Sequence, residues 1–257
     1  MTCESVILKQ RQNDNAPSTQ QRWHRLGWGL AAVAISGLQL ACTKSPVFSS
    51  AAAISSFSPT DLPFTVTVDA DFGEVKPSTE ARHLADAVLH SRDHAGLDFI
   101  IIDKKNAVLY VFGSKGDLRG ASAVLLGAAR GDNSVADIGT RPIDQILPEE
   151  RTTPAGRFIA ERGKNTLGED IIWVDYDAAV SMHRVRATNP KERRLERLAT
   201  PSADDNRISY GCINIPLTFY DTVLAPTFAM QRAVVYVLPE VKKMEEVFSF
   251  RGLLKRS

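Results

Sequence analysis

The stretch Asp98–Gly113, DFIIIDKKNAVLYVFG, decides the fold class. Two short runs rich in Ile, Val and aromatic residues flank Lys104-Lys105-Asn106, a polar turn signal, so the stretch reads as a β-hairpin. Working outward, Ala121–Gly127 (ASAVLLG) continues as a third strand. Thr153-Pro154-Ala155-Gly156 is a turn that feeds Arg157–Glu161 (RFIAE). Asp170–Tyr176 (DIIWVDY), Ala179–Val185 (AVSMHRV) and Ala233–Leu238 (AVVYVL) follow as further strands, and Phe64–Lys76 alternates like a short one. Short strands broken by Gly and Pro predict a mainly β domain with a few helices.

Three helices are predicted. Ser78 or Thr79 caps one that runs to about His94, with Leu84, Ala85, Val88 and Leu89 on one face and Gly96 closing it. Pro216 opens a second, LTFYDTVLAPTFAM, which Pro226 must kink. The tail from Val241 reads as a short amphipathic helix.

The chain has 257 residues, 44% of them hydrophobic, enough for one sizeable domain with appendages. Its net charge of +1 gives no field that would gather nucleic acid. The N-terminus is more informative. A polar, Arg-bearing region, 1–25, precedes an uncharged apolar segment, Leu26–Cys42, which is the pattern of a secretory signal or short membrane anchor. Cleavage at the small-residue run Ser49–Ala53, retention as an anchor and lipidation at Cys42 all stay open. Residues 43–76 read as a linker, 77–96 as a helical lead-in, 97–240 as the main β domain and 241–257 as the tail. The expected location is the periplasm or cell envelope.

Beyond the export segment only Cys212 remains of the three cysteines, so it has no intramolecular partner. Gly211 lets backbone approach closely beside it, and a helix opened by Pro216 would place its positive end near the thiol and favour the thiolate. Main-chain amides at such a turn can face a developing oxyanion. His183 lies in the AVSMHRV strand and is the one histidine of the C-terminal half. Alternation puts it on a face with Ser181 and Val185, where an imidazole can accept a thiol proton and form an ion pair. His83, His90 and His94 lie on or near the first helix, but no carboxylate or cysteine pattern converges there, so no metal and no cofactor is expected.

Ser209-x-Gly211-Cys212-Ile213-Asn214 resembles the signature of the L,D-transpeptidase (YkuD-like) catalytic domain family, S-x-G-C-[IVL]-[RN], with a histidine upstream. Thr153–Phe158 resembles its T-P-x-G-x-[FY] element, and Asp98–Gly113 its opening hairpin. The resemblance covers roughly 97–240. It implies a β-sandwich catalytic domain whose cysteine attacks a murein tetrapeptide stem, releases D-Ala, and passes the acyl group to an amine. Carried over by position, Cys212 is the nucleophile and His183 the general base. The Arg184 carbonyl would orient the imidazole, the backbone of Tyr210, Gly211 and Cys212 would face the oxyanion, and Ser209 and Asn214 would contact substrate.

This chain departs from the pattern in three places. Arg184 follows the histidine where Gly is usual, Asn214 stands where many members have Arg, and the segment between His183 and Cys212 is long. That segment carries Arg186, Lys191, Arg193, Arg194 and Arg197. It reads either as a basic flap gripping stem-peptide carboxylates, Arg186 foremost, or as a solvated helix balanced by Glu192, Glu196, Asp204 and Asp205. The expected partners are peptidoglycan stem peptides, with a wall-linked protein or free D-amino acid as further acceptors, and the membrane through the N-terminal segment. Transfer to water by the same Cys/His pair, or an inactive wall-binding module, are the alternatives.

Overall fold

The computed structural model describes residues 68–250. The 1–25 region, the 26–42 segment with Cys42, most of the 43–76 linker with its Ser49–Ala53 run, and the end of the 241–257 tail lie outside the described residues.

Strands β1 (Phe99–Asp103) and β2 (Val108–Phe112) form the predicted hairpin, closed where Asp103 faces Val108. β3 (Leu118–Ala123), β4 (Leu126–Gly127), β5 (Gly156–Lys164), β6 (Asp170–Asp175), β7 (Val180–Arg184), β8 (Arg207–Ser209), β9 (Ile213–Ile215) and β10 (Ala233–Val237) follow. Among the described residues they form an eight-stranded sheet in the order β3-β2-β1-β10-β5-β6-β7-β9, with β4 and β8 paired separately.

The sheet curls on itself. Ile100 and Ile102 of β1, Leu109 and Val111 of β2, Ile172 of β6, Met182 of β7 and Ile213 of β9 share one core, although their strands lie towards opposite ends of the sheet. The ends also meet directly, because Leu125, just after β3, exchanges both backbone bonds with Asn214 of β9 at 3.0 and 2.9 Å. This bridge joins the two ends of the curled sheet, and the core it encloses is buried from water. The alternate residues of the hairpin, Phe99, Ile101, Tyr110 and Phe112, face outward. They are covered by Leu84, Ala85 and Val88 of helix α1 (Thr79–Ser91). This is the period of two expected of strands buried on both faces, each fully buried aliphatic side chain contributing about 1.5–3 kcal/mol.

Ser78 caps α1, its Oγ accepting from the Ala81 amide at 3.0 Å. The helix stops at Arg92, in the left-handed region at φ 57°, short of the expected His94. His94 instead folds back, buried, with ring nitrogens on the carbonyls of Val88 and Ser114.

Four further differences matter. The 121–127 strand is broken into β3 and β4, because the chain leaves β2 to pair with β8. The helix after Pro216 is short, Leu217–Phe219, then a wide π turn at Tyr220–Leu224, then Ala225–Thr227. The wide turn ends two residues before Pro226, which has no N–H to give an ordinary helical bond. In Phe64–Lys76 the described part makes a single bridge, Asp71 to Asp117. Finally, β9 lies between Cys212 and the helix, so the thiol begins a strand and the helix after Pro216 does not start beside it. The dipole argument for its ionisation therefore fails, since that field fades within one turn. No helix among the described residues is long and apolar enough to cross a membrane.

Candidate active site

The site is built on two parallel neighbours, β7 and β9, in the register Met182↔Ile213, His183↔Asn214, Arg184↔Ile215. Met182, Ile213 and Ile215 enter the closed core, so alternation turns His183 and Asn214 to the other face. Ser181 shares that face two residues earlier. One step before Ile213 comes Cys212, whose Sγ lies 3.7 Å from Ser181 Oγ and 3.5 Å from the Ala179 carbonyl oxygen. Ser181, His183, Cys212 and Asn214 thus form a four-cornered patch, with Cys212 and His183 on its diagonal.

His183 Nδ1 is 2.9 Å from the Arg184 carbonyl oxygen. A carbonyl only accepts, so Nδ1 carries the proton and Nε2 presents its lone pair. Nε2 is buried and no protein group hydrogen-bonds to it, Cys212 included. Burial, opposed by the Arg184 carbonyl and reinforced by the charges of Arg194 and Arg186, lowers His183 to about 4. The imidazole is therefore neutral at pH 7.

The cysteine turn is braced by two hydroxyls. Ser209 Oγ donates to the Cys212 carbonyl (2.6 Å) and accepts from the Gly211 amide (3.0 Å). Thr153 Oγ1 donates to the Gly211 carbonyl (2.8 Å) and accepts from the Gly127 amide (2.9 Å). Gly211 has φ +128°, and a Cβ there would stand 2.7 Å from the Thr152 carbonyl oxygen, so the turn requires glycine. Above it, Cys212 packs in an apolar cluster with Ile138, Ile146, Ile171, Trp173 and Ala179. A separate cleft opens on His183, lined also by Glu169, Asp170, Arg184 and Arg186.

The structure thus gathers Cys212, His183, Asn214 and the Tyr210–Gly211 turn. Ser209 is fully buried, with its hydroxyl given to the turn, and Tyr210 lies under the Arg151 guanidinium at 4.1 Å. Arg186 lines the cleft, paired with Glu169. Elsewhere in the 186–207 segment, Lys191 and Arg193 are exposed, and Arg197 binds the carbonyls of Glu192 and Asp205. Arg194, in helix α2 (Arg194–Ala199), turns inward and is buried. Ser181 was placed on the right face by alternation, yet nothing in the sequence marked it as the neighbour of the sulfur. On α1, His90 is paired with Asp69, and no cluster of three or more metal-ligating side chains occurs among the described residues.

No family model matches the chain, and no curated protein does. Solved structures do. The chain is similar in structure to L,D-transpeptidase domains. The catalytic domain of the Enterococcus faecium L,D-transpeptidase is 18% identical over 55% of this chain and 96% of that one, with a TM-score of 0.30. A Xylanimonas cellulosilytica L,D-transpeptidase is 13% identical over 55% and 60%, with a TM-score of 0.34. The helical cell shape determining protein Pgp2 of Campylobacter jejuni (K307A mutant) is 13% identical over 57% of this chain and 48% of its own, with a TM-score of 0.37. The chain thus spans about half the length of that protein. Likeness at this level does not decide an activity; the site geometry has to.

Proposed function

We propose that this protein is a cysteine-dependent L,D-transpeptidase of the cell envelope, exported or anchored by residues 26–42 and acting on murein tetrapeptide stems. The observation that carries the reading is the shared face of Cys212 and His183, with a neutral imidazole whose Nε2 lone pair has no protein partner.

In the proposed reaction Cys212 Sγ attacks the carbonyl carbon after the diaminopimelate-type residue while His183 Nε2 takes the thiol proton. Because His183 is held low, the transfer accompanies attack and no ion pair need exist beforehand. The Gly211 amide donates to Ser209 Oγ and is therefore not one of the donors that face the developing oxyanion. The C–N bond then breaks, the departing D-Ala amine takes the proton from His183, and a thioester remains. An amine from a second stem, a wall-linked protein or a free D-amino acid attacks the thioester, His183 accepts the amine's proton, and the thiol leaves reprotonated. Water in place of the amine would give a tripeptide.

The test is incubation with disaccharide-tetrapeptides and mass spectrometry of the products. Cross-linked or exchanged products that vanish in Cys212→Ser and His183→Ala are expected. A bare tripeptide alone would identify a carboxypeptidase, and no D-Ala release by the wild type would end the enzymatic reading.

A further inference from the structure

Arg194 Nη1 donates to Asn214 Oδ1 at 2.5 Å. A guanidinium has no acceptor, so this contact fixes which way the asparagine amide is turned, with oxygen to Arg194 and nitrogen away from it. Asn214 is fully buried, and its Nδ2 has no protein acceptor. Its register partner is His183, whose Nε2 is likewise buried and unpartnered on the same face. Two polar atoms buried without partners, on residues paired in register, are costly to leave so unless a ligand arrives to meet them.

The local chain explains why Arg194 points inward. Arg193 takes a left-handed conformation, φ 51°, between the turn Pro190–Glu192 and α2, which swings the next side chain towards the sheet. Glu192 then holds Arg194 Nε at 2.5 Å, and Arg197 ties the same segment to two backbone carbonyls.

We infer that Arg194 is a positioning residue that makes Asn214 present an N–H donor beside His183, so that this subsite takes a carbonyl or carboxylate oxygen of the acyl-donor peptide. The inference rests on the acyl-transfer reading and names the specificity of its site.

Arg194→Lys keeps a donor-only group, Arg194→Met keeps bulk without a donor, and Arg194→Glu offers an acceptor that would draw Nδ2 to itself and reverse the amide. With a disaccharide-tetrapeptide as acyl donor, KM is expected to rise least in Arg194→Lys, by ~10-fold in Arg194→Met and most in Arg194→Glu, with kcat changing less. Packing alone would place Met ahead of Lys, and that order would overturn the inference. A larger KM for the peptide amidated at its terminal carboxyl would identify the oxygen as a carboxylate, and an equal KM as a carbonyl. By NMR, the Asn214 side-chain NH₂ protons should move downfield in Arg194→Glu, where they gain an acceptor; unchanged resonances would refute the positioning role. That readout needs no substrate, whereas failure of the acyl-transfer reading shows as a wild type that releases no D-Ala. If Arg194→Glu does not fold, Asn214→Asp removes the donor directly. KM should then rise at least ~10-fold, and a wild-type KM would overturn the inference.

Discussion

Thr153 Oγ1 lies 2.8 Å from the carbonyl oxygen of Gly211, the residue before Cys212, across 58 positions of chain. The same hydroxyl accepts from the Gly127 amide, so one side chain ties the cysteine turn, the loop before β5 and β4 together.

Replacing Thr153 with Val keeps the shape and removes both bonds, stranding a buried carbonyl and a buried amide. A loss of ~2–4 kcal/mol in urea denaturation is expected, with Thr153→Ser close to wild type. A Val variant as stable as the wild type would show that the brace does not matter.

Gly211→Ala should be worse for activity than its size suggests. The methyl would meet the Thr152 carbonyl oxygen, which is backbone and cannot step aside, at a φ that costs about 1–3 kcal/mol for a side chain. Displacement of the neighbouring thiol should lower turnover of tetrapeptide at least ~100-fold, since small misplacements are amplified in catalysis. Retained turnover would argue that the turn is not part of the catalytic geometry.

Lys104 is fully buried, with Nζ donating to Asp132 (2.7 Å) and to the carbonyls of Gly131 (2.5 Å) and Thr153 (2.9 Å). Burial alone would raise Asp132. Lys104 and the amides of Lys242, Glu240 and Val241 overcome it and hold the carboxyl down to about 2. Lys104→Met leaves that charge buried and should cost ~3–5 kcal/mol, a fall in Tm of roughly 10 °C. Lys104→Met with Asp132→Asn should recover part of the loss in the same calorimetric scan. A double variant worse than the single would contradict this account.

The pH dependence of stability follows from His183. Unfolded, its imidazole takes a proton near 6.5; folded, burial refuses the proton until about 4. Between those values the unfolded chain holds more protons, so stability falls as pH falls through the window, by up to ~1.4 kcal/mol per pH unit. Urea midpoints measured at several pH values should show this slope in the wild type and a shallower one in His183→Gln. Equal slopes would place the imidazole in solvent.

Much of this was legible in the residues. Period-two runs of Ile, Val and aromatics announce the strands, and the hairpin at Lys104–Asn106 stands where it was read. The short β8 and β9 were missed, because three residues are too few for a periodic signal and their pairing comes from β4 and β7. For the same reason the thiol was read as preceding a helix. The segment after His183 carried five basic residues with no sign of which turned inward, since that depends on the left-handed backbone at Arg193.

Composition, alternation and the uniqueness of Cys212 and His183 in their half of the chain were enough to predict a mainly β protein and to single out two candidate side chains. Their placement on one face, the neutral state of the imidazole and the orientation of Asn214 came only from tertiary structure. Register between distant strands, exclusion of water and the partner of each polar atom are properties of chain segments brought together, and no local run of residues encodes them.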